Sequence, residues 1–313
     1  MVDVIFVVRD AQQWHSLNMD MHPGHYSGLA RLGATAVAGV QGLPAGLYFN
    51  TSVPLPGAQG ARLLKYGVIS LPHFMQDLRS WTWLYAAGRL HKPVRFLQSP
   101  PPAVRQALRA NVTAASAAAL LMLPSAFPLL TLLQQITALS YTGDFRMTLG
   151  ENPYKVTNIV ATNTHHFNKL FFQSEHQLAA LGDMGLQLPG GQLPAVAAHN
   201  LGAATMYSKH LTVCEHSAST TAAAFERLPR AFRQRCLLQA GAQHGEVSQL
   251  LQGSRPLPPR AHLAAAVQRT IRRAVAPAAA VQSVKGVFTA GPAKSAAYAL
   301  AKLQKQLRGL MRR

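Results

Sequence analysis

The sequence of 313 residues predicts an α+β fold, and three observations support this. Short apolar runs with strand character occur within the first hundred residues. A long uncharged, alanine-rich run lies between Arg109 and Asp144 and has the composition of helices. After residue 224 the apolar residues again recur at helical spacing. Strands that precede a run of helices are typical of an α+β protein.

The first 98 residues contain the predicted strands. "VDVIFVV", from residue 2, predicts a buried strand. Residues 11–40 are predicted to be helical or irregular, with "HPGHYSG" as a break. "AGLYFNTSV" and "RLLKYGVISL" are further strand candidates, and the Pro- and Gly-rich "PLPGAQGA" between them favours a hairpin with a long loop. "PHFMQDLRSWTWLYAAGRL" has helical spacing, and "KPVRFLQ" is predicted to be a final strand.

The rest of the chain is predicted to be mainly helical. The uncharged run is long enough to cross a membrane, but Pro124 and Pro128 divide it, so a buried core helix is favoured. Residues 176–224 show weak periodicity and are predicted to be a loop or insertion. Helices are predicted at residues 225–251, 261–275 and 293–313, with "KGVFTAGP" as a turn before the last of them. The predicted domains are residues 1–102, 103–255 and 256–313.

The charge balance restricts the partners of this protein. Lys and Arg number 30 against 11 Asp and Glu, and the formal net charge is +19. Such an excess implies an anionic partner, which could be nucleic acid, a phosphate-bearing small molecule or an anionic membrane. Few aromatic residues lie among the basic ones, which argues against a surface that stacks RNA bases. The sequence lacks the common phosphate-binding motifs, and its Cys and His spacings match no established zinc site.

Two charged residues lie inside predicted strands. Asp3 could be a Mg²⁺ ligand of a nucleotidyltransferase, or a solvated residue at the start of a strand. Lys65 could contact a triphosphate, or could be an edge-strand lysine that prevents aggregation. The residues alone do not decide between these alternatives.

The segment "SYTGDFRMTLGENPYKV" combines Asp144, Arg146, Glu151 and Lys155 directly after the uncharged run. Arg suits bidentate phosphate recognition and Lys suits neutralisation of phosphate charge. A solvated connection with ordinary surface pairs is the alternative. Because charged groups beside a core need a partner, the functional interpretation is favoured here.

The last predicted helix, "AKSAAYALAKLQKQLRGLMRR", has leucines at spacings of three and four residues, many basic residues and no acid. Such a helix is typical of an interfacial element on anionic lipid. A core-packing helix with a solvated basic face is the alternative. The membrane interpretation is favoured.

Several segments, in order along nearly the whole chain, resemble the mitochondrial phosphatidate cytidylyltransferases. The most specific are "LLKYGVIS", "LYAAGRLHKPV" and "LSYTGDFRMTLGENPYKVTNIV". The resemblance implies a nucleotidyltransferase-like mixed sheet followed by a helical, winged-helix-like part. It also implies Mg²⁺-dependent synthesis of CDP-diacylglycerol and pyrophosphate from CTP and phosphatidate. This reaction feeds cardiolipin synthesis at the matrix side of the inner mitochondrial membrane, and no nucleic acid is expected as a partner.

Roles for individual residues follow from the resemblance and from residue chemistry. Asp3 is expected to bind Mg²⁺, with Asp144 as second ligand or organiser. The expected contacts to CTP or phosphate are Lys65, Tyr66, Arg146 and Lys155. Arg89, Lys285 and the C-terminal helix are expected to face the lipid headgroup and the anionic bilayer.

The sequence also departs from the family. The Gly-Ser turn that precedes the first strand in the family is not in this chain, and Arg9 and Asp10 stand where the family has two acids. We therefore expect an N-terminally truncated chain, for which inactivity is one outcome. Two other classes stay open, an RNA-acting nucleotidyltransferase and a non-catalytic basic protein of the membrane surface.

Overall fold

The computed structural model describes residues 2–55, 62–148, 152–188 and 211–290. Helices predominate, and two small sheets of three strands each accompany them. The predicted α+β class is confirmed. The described residues divide into two compact units. The first unit draws its residues from Met1–Gln76, Asp144–Asn152 and Ala276–Arg313, and the second from Asp77–Gly143 and Pro153–Val275. The three predicted domains have other boundaries and stay a prediction.

The sheet of the first unit contains β1 (Val2–Val8), β2 (Leu47–Pro54) and β3 (Leu63–Ser70), in the order β1-β3-β2. β1 is parallel to β3 and β2 is antiparallel to it, so the sheet is mixed and the predicted hairpin is confirmed. The expectation of a buried first strand is wrong. β1 pairs only with β3 among the described strands, and most of its side chains are exposed or half-buried.

Helices α1 (Ala11–Met21) and α2 (Gly33–Gly42) pack beside this sheet, and 3₁₀ turns at Pro23–His25 and Gly28–Leu32 connect them. The predicted break at "HPGHYSG" is therefore confirmed. Asp10 begins α1, because its carboxylate accepts a hydrogen bond from the Gln13 N–H at 2.9 Å.

The segment after β3 forms α3 (Leu71–Ser80) and the short α4 (Ala86–Arg89). "KPVRFLQ" was expected to be a strand, and this expectation is wrong. Residues 92–98 contain no strand and most of their side chains are exposed. Pro93 lacks an N–H, so the segment cannot complete a ladder, and its apolar side chains find no second layer.

The second unit is built around α5 (Pro102–Met122), most of whose C-terminal half is fully buried. The core helix favoured from the sequence is confirmed. Among the described residues, no helix is long and apolar enough to span a bilayer. The other described helices are α6 (Leu129–Ala138), α7 (Lys155–Phe172), α8 (Glu175–Asp183), α9 (Ala218–Glu226), α10 (Arg230–Gln239), α11 (His244–Leu251) and α12 (Arg260–Ala290). The residues of α12 from Ala276 onward belong to the first unit.

The predicted loop at 176–224 is wrong at both ends. This stretch contains most of α8 and α9, and it supplies β5 (Leu186–Gln187) and β6 (Leu211–Cys214), which join β4 (Ala126–Pro128) in the second sheet. The buried side chains of Leu181 and Phe225 help explain why α8 and α9 form. The Ala- and Gln-rich composition of this stretch did not indicate these helices. Residues 189–210 lie outside the described residues.

The predicted turn before the last helix is also wrong in part, because α12 continues to Ala290. The predicted amphipathic helix at 293–313 lies outside the described residues. The nucleotidyltransferase-like and winged-helix-like descriptions stay predictions.

Candidate active site

Asp3 and Lys65 are neighbours in the first sheet. They stand opposite each other in the parallel ladder between β1 and β3, so both side chains project from the same face. Asp3 is exposed and Lys65 is half-buried. The Lys65 ammonium nitrogen lies 4.6 Å from the centre of the Phe49 ring, a cation–π distance. The sheet thus places one acid and one cation together, and the roles predicted for them stay predictions.

Gly67 makes room for this arrangement. A Cβ atom at Gly67 would lie 2.6 Å from the Phe49 ring. The absence of a side chain therefore lets the ring lie across β3 below Lys65.

Tyr66 lies on the opposite face of β3 and is buried. Its hydroxyl accepts a hydrogen bond from the Asn18 amide and bonds the His25 ring, both at 2.9 Å. Burial raises the pKa of Tyr66, so this hydroxyl stays neutral. Its predicted contact to the nucleotide stays a prediction, but Tyr66 and Lys65 cannot meet one ligand from the same face.

Asp144 and Arg146 form a bidentate ion pair. One Asp144 oxygen accepts from the Arg146 Nε at 2.9 Å, and the other accepts from Nη2 at 2.7 Å. The same carboxylate also accepts from the Arg146 backbone N–H and so begins the 3₁₀ turn Phe145–Met147. Asp144 is 5 % exposed. Asp144 was predicted to be a second metal ligand or to organise neighbouring cations. The ion pair with Arg146 favours the second of these roles. Glu151 lies outside the described residues.

Two lysines, Lys92 and Lys155, converge on Tyr141 in the second unit, and the charge of Arg89, which stacks on Tyr85, also acts on Lys92. We call Arg89, Lys92 and Lys155 the cation cluster. The ammonium nitrogens of Lys92 and Lys155 each lie 4.9 Å from the centre of the Tyr141 ring. The ammonium nitrogens of Lys92 and Lys155 are therefore no further apart than twice 4.9 Å. All three residues are partly exposed, although the ammonium group of Lys92 is buried enough for its pKa to be lowered. The structure thus brings together the predicted Arg89 and Lys155.

Lys92 was missed by the sequence analysis. Its ammonium group donates hydrogen bonds to the Gly88 carbonyl and to the Ser140 hydroxyl, the latter at 2.7 Å. Burial, and then the positive charges of Arg89 and Lys155, lower the pKa of Lys92 to about 7. The available signal was the spacing of Arg89 and Lys92 in "AGRLHK", since residues three apart share a helical face.

Close packing between α4 and Ser140 positions Lys92. A Cβ at Gly88 would lie 2.4 Å from the Ser140 Cβ. Glycine is therefore required for this approach, which brings the Gly88 carbonyl and the Ser140 hydroxyl to one ammonium group.

Asp77 holds the loop that leads into α4. Its buried carboxylate accepts five backbone N–H bonds of 2.8 to 3.0 Å, from Trp83, Leu84, Tyr85, Ala86 and Ala87. Burial raises the pKa of Asp77, and the N–H groups of Trp83, Leu84, Ala86 and Ala87 oppose this shift. Trp81 and Leu84 have φ angles of 52° and 51°, which are strained for residues with side chains. The carboxylate therefore stabilises an unfavourable backbone path next to the cation cluster.

Lys285 is buried in the first unit. Its ammonium group lies 3.3 to 3.4 Å from the carbonyls of Gln41, Leu43 and Pro44, at the C-terminal end of α2. Burial lowers its pKa to about 8. A cation at this end of a helix stabilises the helix dipole, which is a structural role. The expected contact to a lipid headgroup stays a prediction.

The donor set permits a limited metal site. Within the described ranges, no group of three or more His, Cys, Asp and Glu side chains could hold a metal ion. Mg²⁺ commonly uses one or two carboxylates together with substrate phosphates. The exposed carboxylate of Asp3 fits such a role, whereas both oxygens of Asp144 are engaged by Arg146.

Comparisons with known proteins decide the family. The family model described as "Phosphatidate cytidylyltransferase, mitochondrial" matches residues 1–305. The chain belongs to this family. It is 38% identical to the mitochondrial phosphatidate cytidylyltransferase of Drosophila melanogaster over 309 residues, which cover 97% of this chain and 84% of the relative. The Danio rerio protein of the same name is 36% identical over 100% of this chain and 85% of its own length. The resemblance stated from the sequence is confirmed.

Proposed function

We propose that this member of the mitochondrial phosphatidate cytidylyltransferases makes CDP-diacylglycerol and pyrophosphate from CTP and phosphatidate, and that its cation cluster binds the phosphate of phosphatidate. Family membership supports the activity. The product class is a precursor for cardiolipin and other phospholipids. An RNA-acting enzyme and a non-catalytic membrane protein are not supported by these comparisons.

The reaction explains the abundance of cations. A phosphate oxygen of phosphatidate forms a bond to the α-phosphorus of CTP, and the bond from that phosphorus to the bridging oxygen breaks, so pyrophosphate leaves. Both reactants are polyanions, so the protein must mainly position them and neutralise their charge. Few carboxylates and many cations suit this task.

The convergence of Lys92 and Lys155 on one tyrosine ring is the observation that supports the phosphate site. Like charges near each other repel, and the pKa of Lys92 is lowered first by burial and then by the charges of Arg89 and Lys155. A phosphomonoester brings close to two negative charges and three acceptor oxygens, which relieve the repulsion. Lys155 is also the first residue of α7, where the N–H groups of the helix end favour an anion.

The first unit supplies the proposed nucleotide contacts. Lys65 would bind the triphosphate of CTP, and Asp144 would orient Arg146 toward a phosphate. Asp3 would hold Mg²⁺, which on binding neutralises phosphate charge and orients the leaving pyrophosphate. We also propose that the protein is peripheral on the matrix side of the inner mitochondrial membrane.

The test is an assay with labelled CTP, Mg²⁺ and phosphatidate in mixed micelles. Labelled CDP-diacylglycerol that forms only when both substrates are present is the expected result. A folded protein that binds neither CTP nor phosphatidate and forms no product would overturn the proposal. Binding of glycerol 3-phosphate, followed by calorimetry, tests the cation cluster separately, because this ligand carries the headgroup phosphate without acyl chains.

A further inference from the structure

Residues 93–98 expose three large apolar side chains within four positions, and we call this stretch the apolar loop. Val94, Phe96 and Leu97 are 49%, 50% and 76% exposed. Single exposed apolar residues are common on soluble proteins, but a contiguous group marks an interaction site. The segment is not a strand or a helix, so these side chains do not serve a sheet or a helix face.

The charged residues that neighbour the apolar loop in the sequence are all basic. Arg95 lies between the apolar residues and is exposed, and Arg105 and Arg109 are exposed on the first turns of α5. The sequence contains no Asp or Glu from residue 78 to residue 143. Apolar side chains flanked by arginine, with no acid nearby in sequence, complement an anionic lipid surface.

Both ends of the apolar loop are fixed. At one end, Lys92 donates its backbone N–H to the Arg89 carbonyl at 3.2 Å, and its side chain belongs to the cation cluster. At the other end, Arg105 donates to the Pro100 carbonyl at 2.8 Å. A loop held at both ends loses little conformational freedom when it inserts into a membrane.

The apolar loop is continuous with the proposed phosphate site. Val94 is two residues from Lys92, so their Cα atoms are at most about 7 Å apart. The substrate phosphate is attached to a lipid whose acyl chains stay in the bilayer. A headgroup can reach the cation cluster only if the bilayer surface comes close to it.

We propose that residues 93–98 dock the protein on an anionic bilayer. Phe96 and Leu97 insert at the boundary between headgroups and acyl chains, and Arg95 contacts lipid phosphate. This docking presents the cation cluster to the phosphatidate headgroup. The role of docking in catalysis rests on the proposed function, whereas membrane binding by the apolar loop does not. It is a different element from the basic C-terminal helix predicted from the sequence.

The first test is vesicle sedimentation with the double variant F96S/L97S. The control is Leu32→Ser, because Leu32 is 71% exposed in the first unit. Because the variant cannot bury the Phe and Leu side chains in the bilayer, we expect at least about a tenfold loss of binding to phosphatidylcholine vesicles that contain phosphatidylglycerol. The control should bind as the unchanged protein does. Equal binding of all three proteins would overturn the proposal.

A second measurement tests the proposal even if the double variant F96S/L97S fails to fold. Phe96→Trp keeps an aromatic side chain, and its fluorescence should shift to shorter wavelength and be quenched by brominated lipids when vesicles are added. The intensity must be compared with that of the unchanged protein, which has three tryptophans of its own. An added signal that neither shifts nor is quenched would overturn the proposal.

Activity separates this proposal from the proposed function. F96S/L97S should lose activity on phosphatidate embedded in vesicles and keep activity on a soluble short-chain phosphatidate. If the unchanged protein uses neither substrate, the proposed function fails, and the sedimentation result still decides whether the apolar loop docks. If the double variant keeps activity on vesicles, the docking proposal fails and the proposed function stands.

Discussion

The ammonium group of Lys92 donates a hydrogen bond to the hydroxyl of Ser140, with 2.7 Å between Nζ and Oγ. Within the described part of the chain, its other close contacts are the Gly88 carbonyl and the Tyr141 ring, so neutral groups position this cation. In the proposed function, the substrate phosphate would then add a negative charge to these contacts. Neutral hydrogen bonds fix geometry, and a charge-assisted bond to the substrate adds affinity.

Lys155→Gln should raise the KM for phosphatidate in mixed micelles by about 10- to 100-fold, because a hydrogen bond between charged groups contributes about 1.5–3 kcal/mol. Lys169→Gln is the matched control, since Lys169 is an exposed lysine on the same helix. Equal KM values for the two variants would remove Lys155 from the site.

Binding of glycerol 3-phosphate should weaken as the pH rises above about 7. The pKa of Lys92 is lowered to about 7, so the empty protein loses this proton at higher pH, while the ligand phosphate is already doubly charged. Calorimetry from pH 6 to about 9, in buffers of different ionisation enthalpy, should show proton uptake on binding. An affinity independent of pH over this range, or no proton uptake, would show that Lys92 does not meet the phosphate.

Lys92→Met should retain or increase stability while it weakens phosphate binding. The folded protein binds the Lys92 proton less tightly than the unfolded chain does, so this group destabilises the fold below its ordinary pKa of 10.5. The destabilisation fades as the pH rises from 7 toward 10.5. Thermal unfolding at pH 7 measures the first effect and calorimetry the second. A large drop in Tm would indicate a structural role instead.

Asp77→Asn should destabilise the protein by about 3 kcal/mol or more, because a carboxylate that accepts five N–H bonds is replaced by a group with its own NH₂ donor. Urea unfolding gives the free energy. Asp183→Asn is the control, since the Asp183 carboxylate is 63% exposed in its pair with Arg227 and should contribute about 1 kcal/mol at most. Similar losses for both variants would contradict the role assigned to Asp77.

Asp3→Asn should abolish Mg²⁺-dependent product formation without a change in Tm, because the Asp3 side chain is exposed. Asp20→Asn, at an exposed position of α1, is the control. Asp144→Asn should lower activity together with Tm, since the pair with Arg146 is mostly buried. Full activity of Asp3→Asn would remove the proposed metal ligand.

The sequence predicted the strands and the core helix because their apolar residues follow simple patterns. "LLKYGVIS" and the alanine-rich run show these patterns clearly. "KPVRFLQ" shows the same apolar content, yet its side chains are exposed. A sequence pattern shows which residues are apolar, but it does not show whether another part of the protein packs against them. It therefore could not distinguish a buried strand from an exposed loop.

The site was predictable in part for a similar reason. Arg89 and Lys155 were found individually, because a cation beside an apolar segment is visible in the sequence. The position of Lys92 beside both of them depends on the contact between Gly88 and Ser140, which are 52 positions apart in the sequence. Asp77 was overlooked because its five partners are backbone N–H groups, which leave no mark on residue type.

The tyrosine ring between two lysines has a consequence for turnover. A carboxylate at the position of Tyr141 would hold Lys92 equally well, but it would compete with each arriving phosphate and would have to be displaced and re-formed in every cycle. An aromatic face attracts the ammonium group weakly and carries no net charge. If the lipid phosphate binds at Lys92 as proposed, exchange of product for the next lipid requires no switch of ion-pair partners among the described residues, and its rate should depend on release of the lipid.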